Sequence, residues 1–227
     1  MRAGAGYDTI DVVHCAKQGV YVANCPGKNA HAVAELTMGL ILSIDRRIPE
    51  GVQLLREQKW NKGLFSNSTG IKGRTLGLIG FGNIAQLVMD RAKAFDLNIR
   101  VYNRTKKAGL DKKLGFIYED SIEDLLKNSD IVSIHTPATA DTKNLVNSHF
   151  LSHMKPDGVL INTSRGTVVN EADLLAHLES HPNFWFGTDV FNGEPAGTKE
   201  VPFTHPIAQH PRVYGSHHIG ASTKQSE

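Results

Sequence analysis

Thr75-Leu76-Gly77-Leu78-Ile79-Gly80-Phe81-Gly82-Asn83-Ile84-Ala85 reads as a short buried strand, a glycine turn and the opening of a helix. The helix continues through Leu87, Val88, Arg91, Ala92 and Phe95 at i, i+3, i+4 spacing. Gly80 allows the tight turn and Gly82 lets backbone approach a pyrophosphate. Ala85 is the small third residue that lets helix and strand pack. Free N–H groups and the dipole at the helix start then favour phosphates. A lone G-x-G-x-x-G/A is weak, but a strand before it and a helix after it give the context for dinucleotide binding. The alternative is a structural glycine turn in another α/β protein.

Downstream, residues 99–103 form the next expected strand, followed by Arg104-Thr105-Lys106-Lys107. A nucleotide fold ends its second strand with an acid that binds the ribose 2′-OH of NAD. That place falls on Asn103, about 20 residues beyond the glycines. Asn cannot repel a 2′-phosphate, and Arg104 with Lys106 is suited to bind one, which favours NADP over NAD. A solvated basic turn, with Asn103 still serving NAD, is the other reading. Further expected elements are a helix over 121–128 capped by Ser121 with Asp124 three residues on, and strands over 130–134, 158–162, 184–190 and 212–214. Asn147 and Asn170 are expected to cap two helices between them. Strands alternating with helices predict an α/β fold, a doubly wound parallel sheet of Rossmann type.

Upstream, the chain opens on the glycine-rich loop Arg2-Ala3-Gly4-Ala5-Gly6-Tyr7-Asp8 with no strand before it. A short helix is expected over 8–17 and a strand over 19–24. A long helix follows over 29–47, with Val33, Leu36, Thr37, Leu40, Ile41 and Ile44 as its apolar stripe and Pro49 as its stop. A second helix over 51–59 leads to Trp60 and a polar loop, a natural boundary before the nucleotide-binding unit.

Over its 227 residues the chain is 40% hydrophobic and 21% charged with a net charge of +2, an ordinary globular balance. Acids and bases are interspersed, so neither a nucleic-acid partner nor a membrane surface is expected. No apolar run reaches transmembrane length, and Met1-Arg2-Ala3-Gly4 has no signal-peptide character. Cys15 and Cys25 form no metal or redox spacing, so no metal is expected and a reducing, cytoplasmic compartment is.

The expected strands all end in polar or charged residues, and in an open α/β sheet that edge is where ligands bind. It gathers Arg165, Asp189, Glu194 and His218 around a dinucleotide. A guanidinium holds a carboxylate in bidentate fashion. A histidine exchanges a hydroxyl proton during hydride transfer, and a nearby glutamate orients its imidazole and stabilises the protonated form.

These segments together resemble the D-isomer-specific 2-hydroxyacid dehydrogenases. The matching motifs are the opening glycine loop, Gly80–Ala85, Asn162-Thr163-Ser164-Arg165-Gly166, Asp189-Val190-Phe191-Asn192-Gly193-Glu194-Pro195 and His218-Ile219-Gly220-Ala221-Ser222-Thr223. The resemblance covers nearly the whole chain, and the last motif points to the phosphoglycerate branch. It implies that Arg165 binds the carboxylate and carbonyl of a small anionic substrate, and that His218 is the acid/base with Glu194 as partner. Ala5 and Gly6 correspond to the loop whose amides meet substrate and cofactor. Gly80, Gly82, Asn83 and Ile84 correspond to the pyrophosphate contacts, and Asn103 and Arg104 to the ribose end. His135, Thr136, Pro137, Thr163, Ser164, Asp189 and Gly220 correspond to positions lining the rest of NAD or NADP.

A homodimer is likewise implied, with the long helix against a second subunit, although its stripe equally suits packing within one chain. The family's acid is absent at Asn103, and the proline usual before the histidine is His217 here. The family's substrate domain flanks the nucleotide domain on both sides. Residues 1–25 are therefore expected to be a remnant of it, 26–215 the NAD(P)-binding domain, and 216–227 the return segment. The implied reaction is hydride transfer between NAD(P) and C2 of 3-phosphoglycerate or, as the alternative, glyoxylate or hydroxypyruvate reduction. A non-catalytic dinucleotide sensor or an inactive remnant is the expectation from outside catalysis.

Overall fold

The computed structural model describes residues 1, 4, 6–7, 10–197 and 199–225. Four helices come first: α1 (Val12–Lys17), α2 (Ala30–Arg46), α3 (Ile48–Arg56) and α4 (Lys62–Phe65). The sheet begins with β1 (Thr75–Ile79), α5 (Asn83–Ala94), β2 (Asn98–Tyr102), α6 (Leu110–Leu114) and β3 (Ile117–Tyr118). It continues with α7 (Ile122–Lys127), β4 (Ile131–Ile134), α8 (Ser148–Ser152) and β5 (Val159–Asn162). After a 3₁₀ turn (Gly166–Val168) come α9 (Glu171–Ser180), β6 (Trp185–Thr188), α10 (Pro206–Gln209) and β7 (Val213–Gly215).

The seven strands run in the order β3-β2-β1-β4-β5-β6-β7, every neighbouring pair parallel. The winding direction reverses between β1 and β4, and ligands of such sheets bind at that point beyond the carboxyl ends. Tyr102, Ile79, Ile134, Asn162, Thr188 and Gly215 stand opposite one another across six strands. The residues that follow them, Asn103, Gly80, His135, Thr163, Asp189 and Ser216, therefore leave the sheet along one row.

Both faces of the sheet are buried, as the unbroken apolar runs of its central strands require. Leu76, Leu78, Ile131, Val159 and Ile161 pack on one side with Ile41 and Ile44 of α2 and Val88 and Met89 of α5. Ile79, Val132, Ile134 and Leu160 point the other way, towards Leu125, Leu126, Phe150, Leu174 and Leu178 of α7, α8 and α9. The stripe of α2 is thus spent inside the chain. Among the described residues no helix is long and apolar enough to cross a membrane.

The alternation of strands and helices is as the sequence predicts, and Ser121, Asn147 and Asn170 each accept a bond from the backbone N–H three residues on. Three expectations are corrected. Residues 19–24 form no strand: β3 and β7 are the edges of the only sheet among the described residues, so the Val-Tyr-Val run has no partner and Tyr21 is 97% exposed. The first helix starts at Val12, where the Asp11 carboxylate caps it. Asp8 lies outside the described residues. Pro49 does not stop the long helix: Arg47 ends it in a left-handed conformation (φ 51°), and Pro49 sits in the first turn of α3, where its missing N–H costs nothing.

Candidate active site

The glycine turn sits at the reversal point. Gly80 has φ +85°, and a Cβ there would lie 2.6 Å from the His135 carbonyl oxygen, so no other residue fits the turn unstrained. At Gly82, which caps α5 with no side-chain bond, a Cβ would meet nothing within 4 Å. That open space before the first N–H groups of α5 is the cradle a pyrophosphate needs. Asn83 and Ile84 form the opening of α5, and the Asn83 amide lies under the loop at Gly27. The Thr136 hydroxyl is buried beside Gly80 without a protein partner among the described residues. A dinucleotide fits this set.

At the end of β2, the Asn103 side-chain oxygen accepts the Phe81 N–H (3.1 Å) and its amide donates to Thr105 O (2.7 Å). The side chain therefore ties the glycine turn in place. Arg104, 88% exposed, stands 3.6 Å from Asp141, so this loose pair crosses from the end of β2 to the loop after β4. His135 bonds Ser133 (2.9 Å), and burial pushes its imidazole down to about 4, so it is neutral at physiological pH. Pro137 is exposed, with its carbonyl accepting the Thr142 hydroxyl.

Beyond β5 and β6 the site becomes charged. The Thr163 hydroxyl meets that of Thr37 on α2 (3.0 Å), Ser164 donates to Asn162, and Arg165 donates to the Ser164 carbonyl (2.7 Å). Asp189, expected at the edge of the dinucleotide site, turns its carboxylate to the chain's own loop. It is buried and accepts from Ser216 Oγ (2.6 Å), Ile219 N (2.9 Å) and Gly220 N (2.7 Å), while its carbonyl takes His218 N–H (2.8 Å). Gly220 is consumed by the same clamp. His218 (φ 54°) directs Nδ1 at Glu194 Oε1, and Glu194 Oε2 accepts Phe191 N–H (3.1 Å). Imidazole and carboxylate are held as a pair, which leaves Nε2 for a substrate oxygen. Gly6 is half-buried, and Ala5 lies outside the described residues.

Sequence reading missed the residues that hold this set: Asn162, Thr37, Ser133 and Ser216. Thr37 reads only as one residue of the α2 stripe, and single polar residues such as Ser133 and Ser216 leave no periodic signal. Only Asn162 carried a hint, as the first residue of a quoted motif.

An open glycine turn at the reversal of a parallel sheet, with an imidazole–carboxylate pair along the same edge, describes the dinucleotide-binding half of an oxidoreductase. The chain belongs to the D-isomer specific 2-hydroxyacid dehydrogenase family: the model of that family's NAD binding domain matches residues 38–220. It is 38% identical over 227 residues to a glyoxylate reductase of Thermococcus litoralis, covering 97% of this chain and 66% of that protein. It is 35% identical to a D-3-phosphoglycerate dehydrogenase of Bacillus subtilis, covering 100% and 42% respectively. An NADPH-dependent glyoxylate/hydroxypyruvate reductase from Sinorhizobium meliloti, solved with NADP and malonate, superposes with a TM-score of 0.85 at 34% identity, over 99% of this chain and 68% of that one. The chain thus spans from under half to about two thirds of the length of these relatives, and its cofactor is NAD or NADP.

Proposed function

We propose that the chain carries the catalytic half of a D-2-hydroxyacid dehydrogenase, with Arg165, Glu194 and His218 as its reacting set. The observation that carries the reading is the His218–Glu194 pair on a loop clamped by Asp189. The nicotinamide supplies or accepts the hydride at C2. Arg165 binds the substrate carboxylate and draws charge from the 2-oxo oxygen. In reduction, the proton leaves His218 Nε2 for that oxygen as the carbonyl becomes a hydroxyl; in oxidation it returns. Glu194 holds the ring by Nδ1 and favours the imidazolium between the two steps. Residues 1–25 and 216–227 are read as parts of the substrate-side domain.

For the substrate, 3-phosphoglycerate with phosphohydroxypyruvate is favoured by the segment His218–Thr223; glyoxylate or hydroxypyruvate is favoured by the names of the more identical relatives. For the cofactor, NADP is favoured: no carboxylate stands at the end of β2, and the exposed Arg104 guanidinium is free to leave Asp141 for a 2′-phosphate. We also propose a homodimer, through α3 rather than α2. Ile48, Val52 and Leu55 lie exposed at helical spacing, with Trp60 81% exposed beyond them.

The test is reduction of phosphohydroxypyruvate, glyoxylate and hydroxypyruvate with NADH and NADPH in parallel. His218→Ala is expected to lower turnover by at least about 100-fold with cofactor affinity nearly unchanged. Undiminished turnover would remove His218 from the reaction.

A further inference from the structure

We infer that Asn162 is a positioning residue for Arg165, holding the turn that aims the guanidinium and tying that turn to the segment bearing Asp189. The inference rests on the reading of Arg165 as the group that binds the substrate carboxylate.

Asn162 is the last residue of β5 and is fully buried. A buried amide is costly unless its donors and acceptor are met. Here Oδ1 accepts both Ser164 N–H (3.0 Å) and Ser164 Oγ–H (2.7 Å), and Nδ2 donates to the Arg165 carbonyl (3.0 Å). One side chain thus bonds both residues of the turn and fixes where the chain leaves the sheet. The Arg165 guanidinium rests on the carbonyl of Ser164, the residue that Asn162 grips from its other side. The backbone carbonyl of Asn162 in turn accepts Asp189 N–H (3.1 Å) and Thr188 Oγ–H (3.2 Å). The turn that carries Arg165 and the carboxylate that clamps the His218 loop therefore start from one residue.

No other standard side chain of this size offers an acceptor for two donors together with a donor for a carbonyl. Aspartate keeps the acceptor but sets a carboxylate oxygen against the Arg165 carbonyl. Alanine loses all three bonds. A residue serving only the fold would, when changed, lower stability and weaken every ligand alike. A positioning residue acts on the anion and spares the dinucleotide, whose expected phosphate cradle is across the sheet at Gly82.

The experiment is calorimetric titration of the chain with NADH, then of the NADH-saturated chain with oxamate, a 2-oxo acid analogue that is not reduced. It compares wild type with Asn162→Ala, Asn162→Asp, Ser164→Ala and Arg165→Ala, alongside urea midpoints. Arg165→Ala is expected to weaken oxamate by about 100-fold or more, as loss of a bidentate charged contact does. Both Asn162 variants are expected to weaken oxamate about tenfold with NADH affinity within about twofold, since a small misplacement of a binding group has that cost. Ser164→Ala, which removes one of the three bonds and keeps the fold if Asn162→Ala does not, is expected to weaken it about threefold. Oxamate affinity unchanged in the Asn162 variants, or lost in step with NADH affinity, overturns the inference. Wild-type-like oxamate binding by Arg165→Ala, or none by wild type, instead overturns the role of Arg165, on which the inference depends.

Discussion

The Asp189 carboxylate shows how much a single side chain carries at the residue scale. It accepts from Ser216 Oγ and from the N–H groups of Ile219 and Gly220. Removing it strands the buried Gly220 N–H, at about 1–3 kcal/mol, and loosens the half-buried Ser216 Oγ and Ile219 N–H. Asp189→Ala is therefore expected to lower unfolding free energy by about 2–4 kcal/mol in urea titrations. Asp189→Asn keeps one acceptor oxygen and is expected to cost less. A loss below about 0.5 kcal/mol for the alanine variant would show the loop is held by other contacts. The same change leaves the backbone bond from His218 N–H to the carbonyl of residue 189 in place and removes the side-chain clamp on Ile219 and Gly220 just beyond it.

At the scale of elements, α9 couples packing to acidity. His177 lies on its buried face, stacked on His181 with ring centroids 3.9 Å apart and set edge-on to Phe184. Its Nε2 is buried without a protein partner among the described residues. Burial, reinforced by His181, pushes the imidazole down to about 4. The unfolded chain binds the proton near 6.5 and the folded chain resists it, so stability is whole above about pH 6.5 and falls as pH drops towards 4. The expected loss is on the order of 3 kcal/mol. His135, also pushed down to about 4 by desolvation, adds a loss of the same sign. His177→Leu is expected to flatten about half of the fall between pH 6.5 and 4.5, read from urea midpoints; an unchanged slope would place the effect elsewhere.

That element also marks what was legible beforehand. Asn170 announced its start, and the strands around it read as strands because buried parallel strands are continuous apolar runs. The run 19–24 looked the same and failed, because pairing depends on neighbours that a local pattern does not contain. Within the site, Gly80, Gly82, Glu194 and His218 were legible from chemistry and spacing. Asp189 was legible as a strand-end residue but its clamp was not, since its donors come from a loop some thirty positions on. The contact of Thr37 with Thr163 was invisible for the same reason.

For the molecule as a whole, the sheet and both of its cores are completed within the chain, with α2 closing one face and α7, α8 and α9 the other. The open turn at Gly82 lies between β1 and α5, within this same unit. Cofactor binding is therefore expected of the chain by itself, whatever its activity. A ligand at 100 times its dissociation constant stabilises by about 2.7 kcal/mol. For a chain of this size that raises the melting temperature by roughly 5–10 °C. NADPH is expected to produce the larger shift than NADH at equal concentration. Arg104→Ala should reduce the NADPH shift to that of NADH, because only the 2′-phosphate distinguishes the two ligands and Arg104 is the guanidinium at the end of β2. Asp141→Asn should act in the opposite sense, by releasing Arg104 from its 3.6 Å partner and removing a negative charge near the phosphate. Equal shifts for both cofactors that neither variant alters would assign Asn103 to NAD and leave Arg104 to the solvent. A shift from neither cofactor would mean that the open turn at Gly82 does not bind a dinucleotide in this chain.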